Sequence, residues 1–493
     1  MTGSAPRIVV SLPARDIGSA LAEVRTARAA GADAAELRAD RLVPGEIERV
    51  DRLFPSPLAL VATYRSRAEG GEGEDDPDRR RAVLSGLARH PFRWIDLELA
   101  RDRGVDAELP PREQLGRIYS AHLGPSPPAR WTGTLRELES VDGVGKLVVE
   151  AGVRTALQEL LPEARRAGED VVILTTGPSG PLLRAWSRRL GFPLVYASLP
   201  AGGGTVEASQ VPVDLLRPYL EAEVPPPLFA LLGRPVGHSA SPAIHQRWIA
   251  ADGERGLYLA LEIADDREFV DALAPLAEGG FRGVNVTHPY KAVAVEAADE
   301  LGRGAEACGV ANCLTLRDGR VVAENTDLLA ILRRLEELRA SRAWDGGSLA
   351  VIGAGGAARA TLAAARSLGI PATVHARRRA EADRLALAFA GEVPGRGRSP
   401  KPATLVVHAT DVGREPDRPL EVPLGPLLAP GAYVLDWVYR PAQPTIRQAT
   451  EAAGATYEDG WRLLVYQAAA SFDLWWDHPP SEAAIGAVVA GGG

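Results

Sequence analysis

The stretch Ser348–Gly369, SLAVIGAGGAARATLAAARSLG, decides the fold of the second half of the chain. Leu349–Ile352 is a short apolar run with the length and character of a buried strand. Gly353, Gly355 and Ala358 follow as G-x-G-x-x-A, and from there the sequence is rich in Ala, the strongest helix former. Strand, glycine turn and helix in that order form a dinucleotide-binding opening. Small residues let backbone N–H groups reach a pyrophosphate at the helix N-terminus. Gly353, Ala354, Gly355, Gly356 and Ala357 are the candidate contacts. The next expected strand starts at Ala372 and ends in Arg377, Arg378 and Arg379. An NAD enzyme would offer Asp or Glu there to the ribose 2′-hydroxyl. Arginines suit a 2′-phosphate instead, so NADP is the expected cofactor, with Arg377 and Arg378 facing that phosphate.

Outward from this opening, a break at Trp344–Gly347 separates it from an upstream α/β segment, and EAEVPPP at Glu221–Pro227 reads as a stiff linker. Before the linker, strand-like runs begin at Arg7, Asp33, Leu58, Trp94, Arg117, Gly145, Val171 and Pro193. Helix-forming stretches such as Ile17–Ala30 and Arg154–Ala167 separate most of them. Eight β–α alternations in this span suit a compact (β/α)8 barrel; an open α/β sheet would show the same alternation. The charged stretch Glu69–Asp78, EGGEGEDDPD, reads as a mobile loop.

The chain has 493 residues, and of its 56 basic residues only Lys146, Lys291 and Lys401 are lysine. Arginine replaces lysine cheaply on a solvated surface. It cannot do so where an amine must lose its proton, so each surviving lysine is a candidate. A net charge of −8 excludes a dedicated nucleic-acid binder. Two cysteines exclude a disulfide framework and a Cys-rich metal site, and no metal is expected. No apolar run is long enough to span a membrane, and the start MTGSAPRIVVSLP lacks the features of a signal peptide. A soluble, cytoplasmic enzyme acting on small molecules is expected, as a monomer or homodimer, without nucleic-acid or membrane partners.

In the barrel candidate Glu36 and Arg38 end the second strand, Arg65 follows the third, His122 ends the fifth and Lys146 lies in the sixth; the C-terminal ends of barrel strands converge on one mouth, where a barrel carries its active site. Lys146 lies in the apolar run VGKLVVE, where burial favours the neutral, nucleophilic amine, and His122 is placed to move a proton beside it. In the second half, Ser239 and Ser241 in GRPVGHSASP offer two hydroxyls at a helix start, suited to a carboxylate. Lys291, closing GVNVTHPYK, and Asp327, in ENTD, form a candidate proton-transfer pair.

The N-terminal pieces E-L-R-A-D (36–40), T-Y-R-S-R-A-E-G-G (63–71), D-L-E-L (96–99), S-A-H (120–122) and G-K (145–146) resemble the type I 3-dehydroquinate dehydratases across nearly all of residues 6–220. The resemblance implies a TIM barrel over 1–222. In it Lys146 forms a Schiff base with the C3 ketone of 3-dehydroquinate, and His122 takes the C2 proton and helps expel the C1 hydroxyl. Glu69 orients His122, while Glu36, Arg38 and Arg65 hold ring hydroxyls. Arg184 falls at the family's carboxylate-binding position. The family's Ser-Ala-Pro-Gly-Gln lid corresponds here to Thr205–Gln210, with Gln210 kept and Thr205 nearest to the serine.

Residues 228–493 resemble the shikimate dehydrogenases. The match implies a two-domain arrangement: an α/β substrate domain at 228–335 plus 466–493, and a Rossmann NADP domain at 336–465. Ser239 and Ser241 then hold the shikimate carboxylate, and Lys291 and Asp327 are the catalytic pair. Thr287 and Asn312 bind substrate hydroxyls. Tyr439 of D-W-V-Y-R-P and Gln467 of G-W-R-L-L-V-Y-Q lie near nicotinamide and substrate, and Thr410 and Gly460 lie on the cofactor side. His408 stands where that family often has Asn. Together the two resemblances imply a bifunctional shikimate-pathway enzyme that dehydrates 3-dehydroquinate and reduces the product with NADPH. The alternative is a quinate/shikimate dehydrogenase with a weak or non-catalytic barrel.

Overall fold

The computed structural model describes residues 5–394, 400–413, 419–420, 422–440 and 445–491; Pro441 of one quoted motif lies outside them. The chain forms two units, one of residues 1–228 with 255–280 and the other of residues 229–254 with 281–493.

The first unit is built on eight strands: β1 (Arg7–Leu12), β2 (Ala34–Arg38), β3 (Ala59–Thr63), β4 (Trp94–Glu98), β5 (Gly116–Leu123), β6 (Val144–Glu150), β7 (Val171–Thr176) and β8 (Leu194–Ala197). They run in the order β7-β6-β5-β4-β3-β2-β1-β8, every described ladder parallel, as a nearly closed barrel. Each expected run supplies one strand. The strands are buried on both faces because helices cover the outside, which is why they read as near-continuous apolar runs. Alternation then sorts the exceptions. Glu36 with Arg38, Asp96 with Glu98, and Ser120 with His122 each lie two apart and so share the inner face of their strand. Helix starts are capped locally: Asp16 accepts from Ser19 N–H and Asp76 from Arg79 N–H.

Glu69–Asp78, expected to be a mobile loop, is instead a hydrogen-bonded turn folded onto the end of β3. Gly71 N–H donates to Ser66 O (2.8 Å), Gly73 N–H to Arg65 O (2.9 Å), and Glu72 N–H to Asp40 (3.1 Å). A Cβ at Gly71 would stand 2.2 Å from Arg65 O, so this run of glycines is a packing requirement. Glu72, Asp75, Asp76 and Asp78 sit on the outside of this compact turn, while the Glu69 side chain is turned inward and is only 8% exposed. Residues 255–280 complete this unit with β10 (Leu257–Glu262) and the helix Asp266–Glu278. Gly279 O accepts from Trp186 Nε1 (2.8 Å) and Arg189 Nη1 (2.7 Å).

In the second unit, β9 (Leu228–Gly233), β11 (Phe281–Val286), β13 (Cys313–Arg317), β14 (Arg320–Glu324) and β12 (Glu300–Leu301) follow one another in that order across a mixed sheet. A second, parallel sheet has the order β16 (Ala372–His375), β15 (Leu349–Ile352), β17 (Ala403–His408), β18 (Leu428–Asp436), β19 (Thr456–Glu458). The quoted stretch forms β15 and the helix Gly356–Ser367, as read. Ala350, Ile352, Val406, Val434 and Ile446 pack in the core of this sheet. Among the described residues no helix is long and apolar enough to cross a membrane.

Candidate active sites

Inside the barrel, β6 buries Lys146, the third of its seven residues, with 2% of its side chain exposed. Nζ is ion-paired with Asp96 on β4, whose second oxygen accepts from Ser120. Nζ also lies 4.5 Å from the centre of the Tyr196 ring. A carboxylate thus faces the amine of this apolar strand, as a buried charge requires a partner. Glu36 accepts from Ser11 (2.7 Å) and Thr63 (2.8 Å) on the flanking strands. Burial alone would raise its carboxyl, but the charges of Lys146, Arg65 and Arg38 hold it down at about 2. Arg38 makes a buried two-point pair with Asp40 (2.8 and 2.7 Å).

His122 ends β5. Glu69 Oε2 accepts from its backbone N–H (2.9 Å) and lies 3.3 Å from Nδ1, which orients the ring. Burial, then the charges of Arg65, Lys146 and Arg38, push the His122 imidazole well below its ordinary value, so it stays neutral and able to accept a proton. The Glu69 carboxyl is pushed up to about 7 by burial and by nearby Glu98. Glu98 is held by Ser66 N–H and Oγ (2.7 and 2.8 Å).

Arg184 is buried and donates to the carbonyls of Tyr196 (3.2 Å), Thr175 (2.6 Å) and Gly180. Its remaining reach is to Glu207 Oε2 at 3.8 Å. In the lid, Gln210 Nε2 donates to Ser11 Oγ (3.2 Å), which links the lid to Glu36. Thr205 is exposed and turned onto its own loop, donating to Glu207 O (2.6 Å).

In the second unit, Lys291 Nζ meets Asp327 Oδ2 at 2.5 Å. Asn325 caps the helix Thr326–Ala340 through Leu328 N–H (2.9 Å), which fixes Asp327 in the first turn. Asn312 Nδ2 donates to Asp327 Oδ1 (2.9 Å) and lies 3.4 Å from Gln467 Oε1, so with Lys291 four of the expected residues converge. Ser239 Oγ accepts from Ser241 N–H (3.2 Å) at the start of the helix Ser241–Ala251, and Ala240 N–H donates to Tyr439 OH (3.4 Å). Thr287 lies at the end of β11, where its Cγ2 would be 2.1 Å from a Cβ on Gly233.

The glycine turn fits a dinucleotide. Gly353 has φ 131°, and a Cβ there would meet Ala409 O at 2.5 Å and Thr410 Cγ2 at 3.2 Å. Gly355 caps the helix Gly356–Ser367 with open space where its Cβ would stand. Gly356 lies against Lys291, whose Cδ is 2.8 Å from its would-be Cβ, so the turn adjoins the Lys–Asp pair. Arg377 and Arg378 follow β16 on the exposed surface, and Gly460 caps the helix Trp461–Trp476.

A family model for type I 3-dehydroquinase matches residues 8–223, and one for the shikimate dehydrogenase substrate binding domain matches residues 231–314. The NADP(+) shikimate dehydrogenase of Ruegeria sp. (strain TM1040) is 36% identical over 264 residues, covering 52% of this chain and 94% of that protein. The chain belongs to the shikimate dehydrogenase family, with a type I 3-dehydroquinase domain preceding that part. The solved shikimate 5-dehydrogenase of Thermus thermophilus, in complex with NADP(H) and shikimate, is 31% identical with a TM-score of 0.48, covering 54% of this chain and 99% of that one. The dehydroquinate dehydratase and shikimate dehydrogenase structure from S. pombe AroM is 23% identical with a TM-score of 0.43, covering 99% and 98%.

In the 3-dehydroquinase domain, sequence reasoning missed Asp96, the partner of Lys146. The signal was available: an Asp inside the apolar strand WIDLEL must have a buried partner. In the shikimate dehydrogenase part it missed a chain of contacts around His408. His408 Nδ1 faces Asp436 Oδ1 (2.8 Å) and its Nε2 faces Thr410 Oγ1 (2.6 Å). The unusual histidine thus links the Thr410 hydroxyl, beside the glycine turn, to a buried carboxylate.

Proposed function

We propose that this chain is a bifunctional shikimate-pathway enzyme: its barrel dehydrates 3-dehydroquinate to 3-dehydroshikimate, and its second part reduces that product to shikimate with NADPH. The observation that carries the reading is that two of the three lysines each sit against a buried carboxylate, one inside the barrel beside a neutral histidine and one beside a dinucleotide turn.

In the barrel, Lys146 attacks the C3 ketone, and Asp96 is the group that exchanges a proton with Nζ and then faces the iminium. The imine acidifies C2. His122, oriented by Glu69, takes that proton and returns one to the departing C1 hydroxyl, which leaves as water. Glu36, Arg38 and Arg65 hold ring hydroxyls, Arg184 takes the substrate carboxylate, and Gln210 and Thr205 belong to the closing lid. In the second part, Ser239 and Ser241 hold the carboxylate, and Thr287, Asn312 and Gln467 the hydroxyls. Bound NADPH supplies the hydride. Lys291 delivers the proton to the substrate oxygen, and Asp327 holds that ammonium in place. The backbone of Gly353–Ala357, with Thr410 and Gly460, would hold the cofactor; Arg377 and Arg378 would hold its 2′-phosphate, and Tyr439 would contact substrate and nicotinamide.

Borohydride reduction in the presence of 3-dehydroquinate tests the barrel chemistry. The reading expects added mass at Lys146 and none in Lys146→Met; no adduct on a folded wild-type chain overturns it. A thermal-shift comparison tests the cofactor, with stronger stabilisation by NADPH than by NADH expected.

A further inference from the structure

Tyr196 on β8 belongs to none of the roles above. Its side chain is buried in the barrel interior, and its hydroxyl has no hydrogen-bond partner among the described residues. The acceptors around it are already engaged. Glu36 accepts from Ser11 and Thr63, and Asp96 from Ser120 and Lys146. A buried hydroxyl without a partner costs stability, and Phe would fill the same space without that cost. The phenol is therefore placed for a partner that arrives from outside the protein. Its ring holds Lys146 Nζ over its face at 4.5 Å, which puts a group bonded to that nitrogen within reach of the hydroxyl. Lys146 is as deeply buried as Tyr196 here, so the burial of the hydroxyl is that of the closed site as a whole. Burial and the charges of Glu36 and Asp96 raise the phenol well above its ordinary value, so it stays a donor at any working pH.

We propose that the Tyr196 hydroxyl is a further substrate contact of the barrel site, donating a hydrogen bond to the oxygen of the ketone that Lys146 attacks. This rests on the imine reading given above. As the C–N bond forms, the carbonyl π pair moves to oxygen, and the phenol stabilises the developing negative charge while keeping its own proton. The oxygen then leaves as water. Its two hydrogens are those the Nζ ammonium sheds in becoming an iminium with one N–H, so the step consumes no other reagent. The ring face supports the positive charge that remains on nitrogen.

The test is Tyr196→Phe in the full chain, which keeps the ring and removes only the hydroxyl. Rapid-quench borohydride trapping with 3-dehydroquinate gives the rate of adduct formation, steady-state dehydration gives kcat and KM, and a thermal melt gives stability. The proposal expects the same adduct at Lys146 formed about 10- to 100-fold more slowly, the loss a charge-developing hydrogen bond carries. The loss should appear in kcat more than in KM, with melting unchanged or higher. Unchanged trapping rate and unchanged kcat/KM, with a higher melting temperature, overturn it and leave Tyr196 a packing residue. Absence of any adduct in the wild-type chain sinks the imine reading instead, an outcome separable from the first because it needs no variant.

Discussion

Replacing Glu69 with Gln should stabilise the barrel at alkaline pH while slowing its chemistry. In the folded chain burial and Glu98 raise the Glu69 carboxyl from 4.5 to about 7. Between those values the folded state binds more protons than the unfolded one, so stability falls as pH rises through the window and the cost is complete above pH 7. The full cost is about 3 kcal/mol. Gln removes it and can still accept from His122 N–H, but it gives up the partly exposed contact with Arg101. A net gain of about 1–3 kcal/mol at pH 8.5 remains, roughly 3–10 °C in barrel melting. At pH 5 the wild-type carboxyl is mostly protonated in the fold, so the advantage should shrink to less than about 1 kcal/mol. Calorimetry of both proteins at the two pH values measures the difference directly. Dehydratase kcat should fall about 10- to 100-fold, because the amide no longer balances the charge His122 gains on accepting a proton. A Gln variant no more stable than wild type at pH 8.5, or equally favoured at pH 5 and 8.5, would refute the electrostatic account of this site.

Two further substitutions separate the halves. Lys291→Met should lower shikimate oxidation by about 10²-fold or more in kcat with little change in KM, and leave dehydration intact; steady-state assays of both reactions check this. Gly353→Ala places a Cβ 2.5 Å from Ala409 O at a φ of 131°. It should abolish NADPH-induced thermal stabilisation while borohydride trapping at Lys146 persists.

The barrel strands were legible because each is a short apolar run bounded by helix-forming sequence, and because a barrel buries both faces of every strand. The glycine opening was legible because its backbone demands are local. The contacts that complete the sites are not local. Asp96 reaches Lys146 across 50 residues of sequence, and only the register of β4, β5 and β6 brings them together. Tyr196 lay hidden because in PLVYAS it reads as one more apolar strand residue. Glu69 was found only through resemblance, since the charge run around it reads as solvated and the Gly71–Arg65 approach is invisible to composition.

The scarcity of lysine sharpened the search because it acts on chemistry rather than on pattern. Lys401 is 84% exposed and faces Glu392 at 3.7 Å, an arrangement in which arginine would serve equally well. Lys146 and Lys291 are themselves 2% and 22% exposed, and each is held by a carboxylate that is at most 5% exposed. A guanidinium there would satisfy the charge, but it could neither form an imine nor surrender a proton near neutral pH. What distinguishes the two lysines given roles in the proposed function is therefore the burial of the pair, lysine and carboxylate together. Rarity of lysine raised all three as candidates, and the fold removed one.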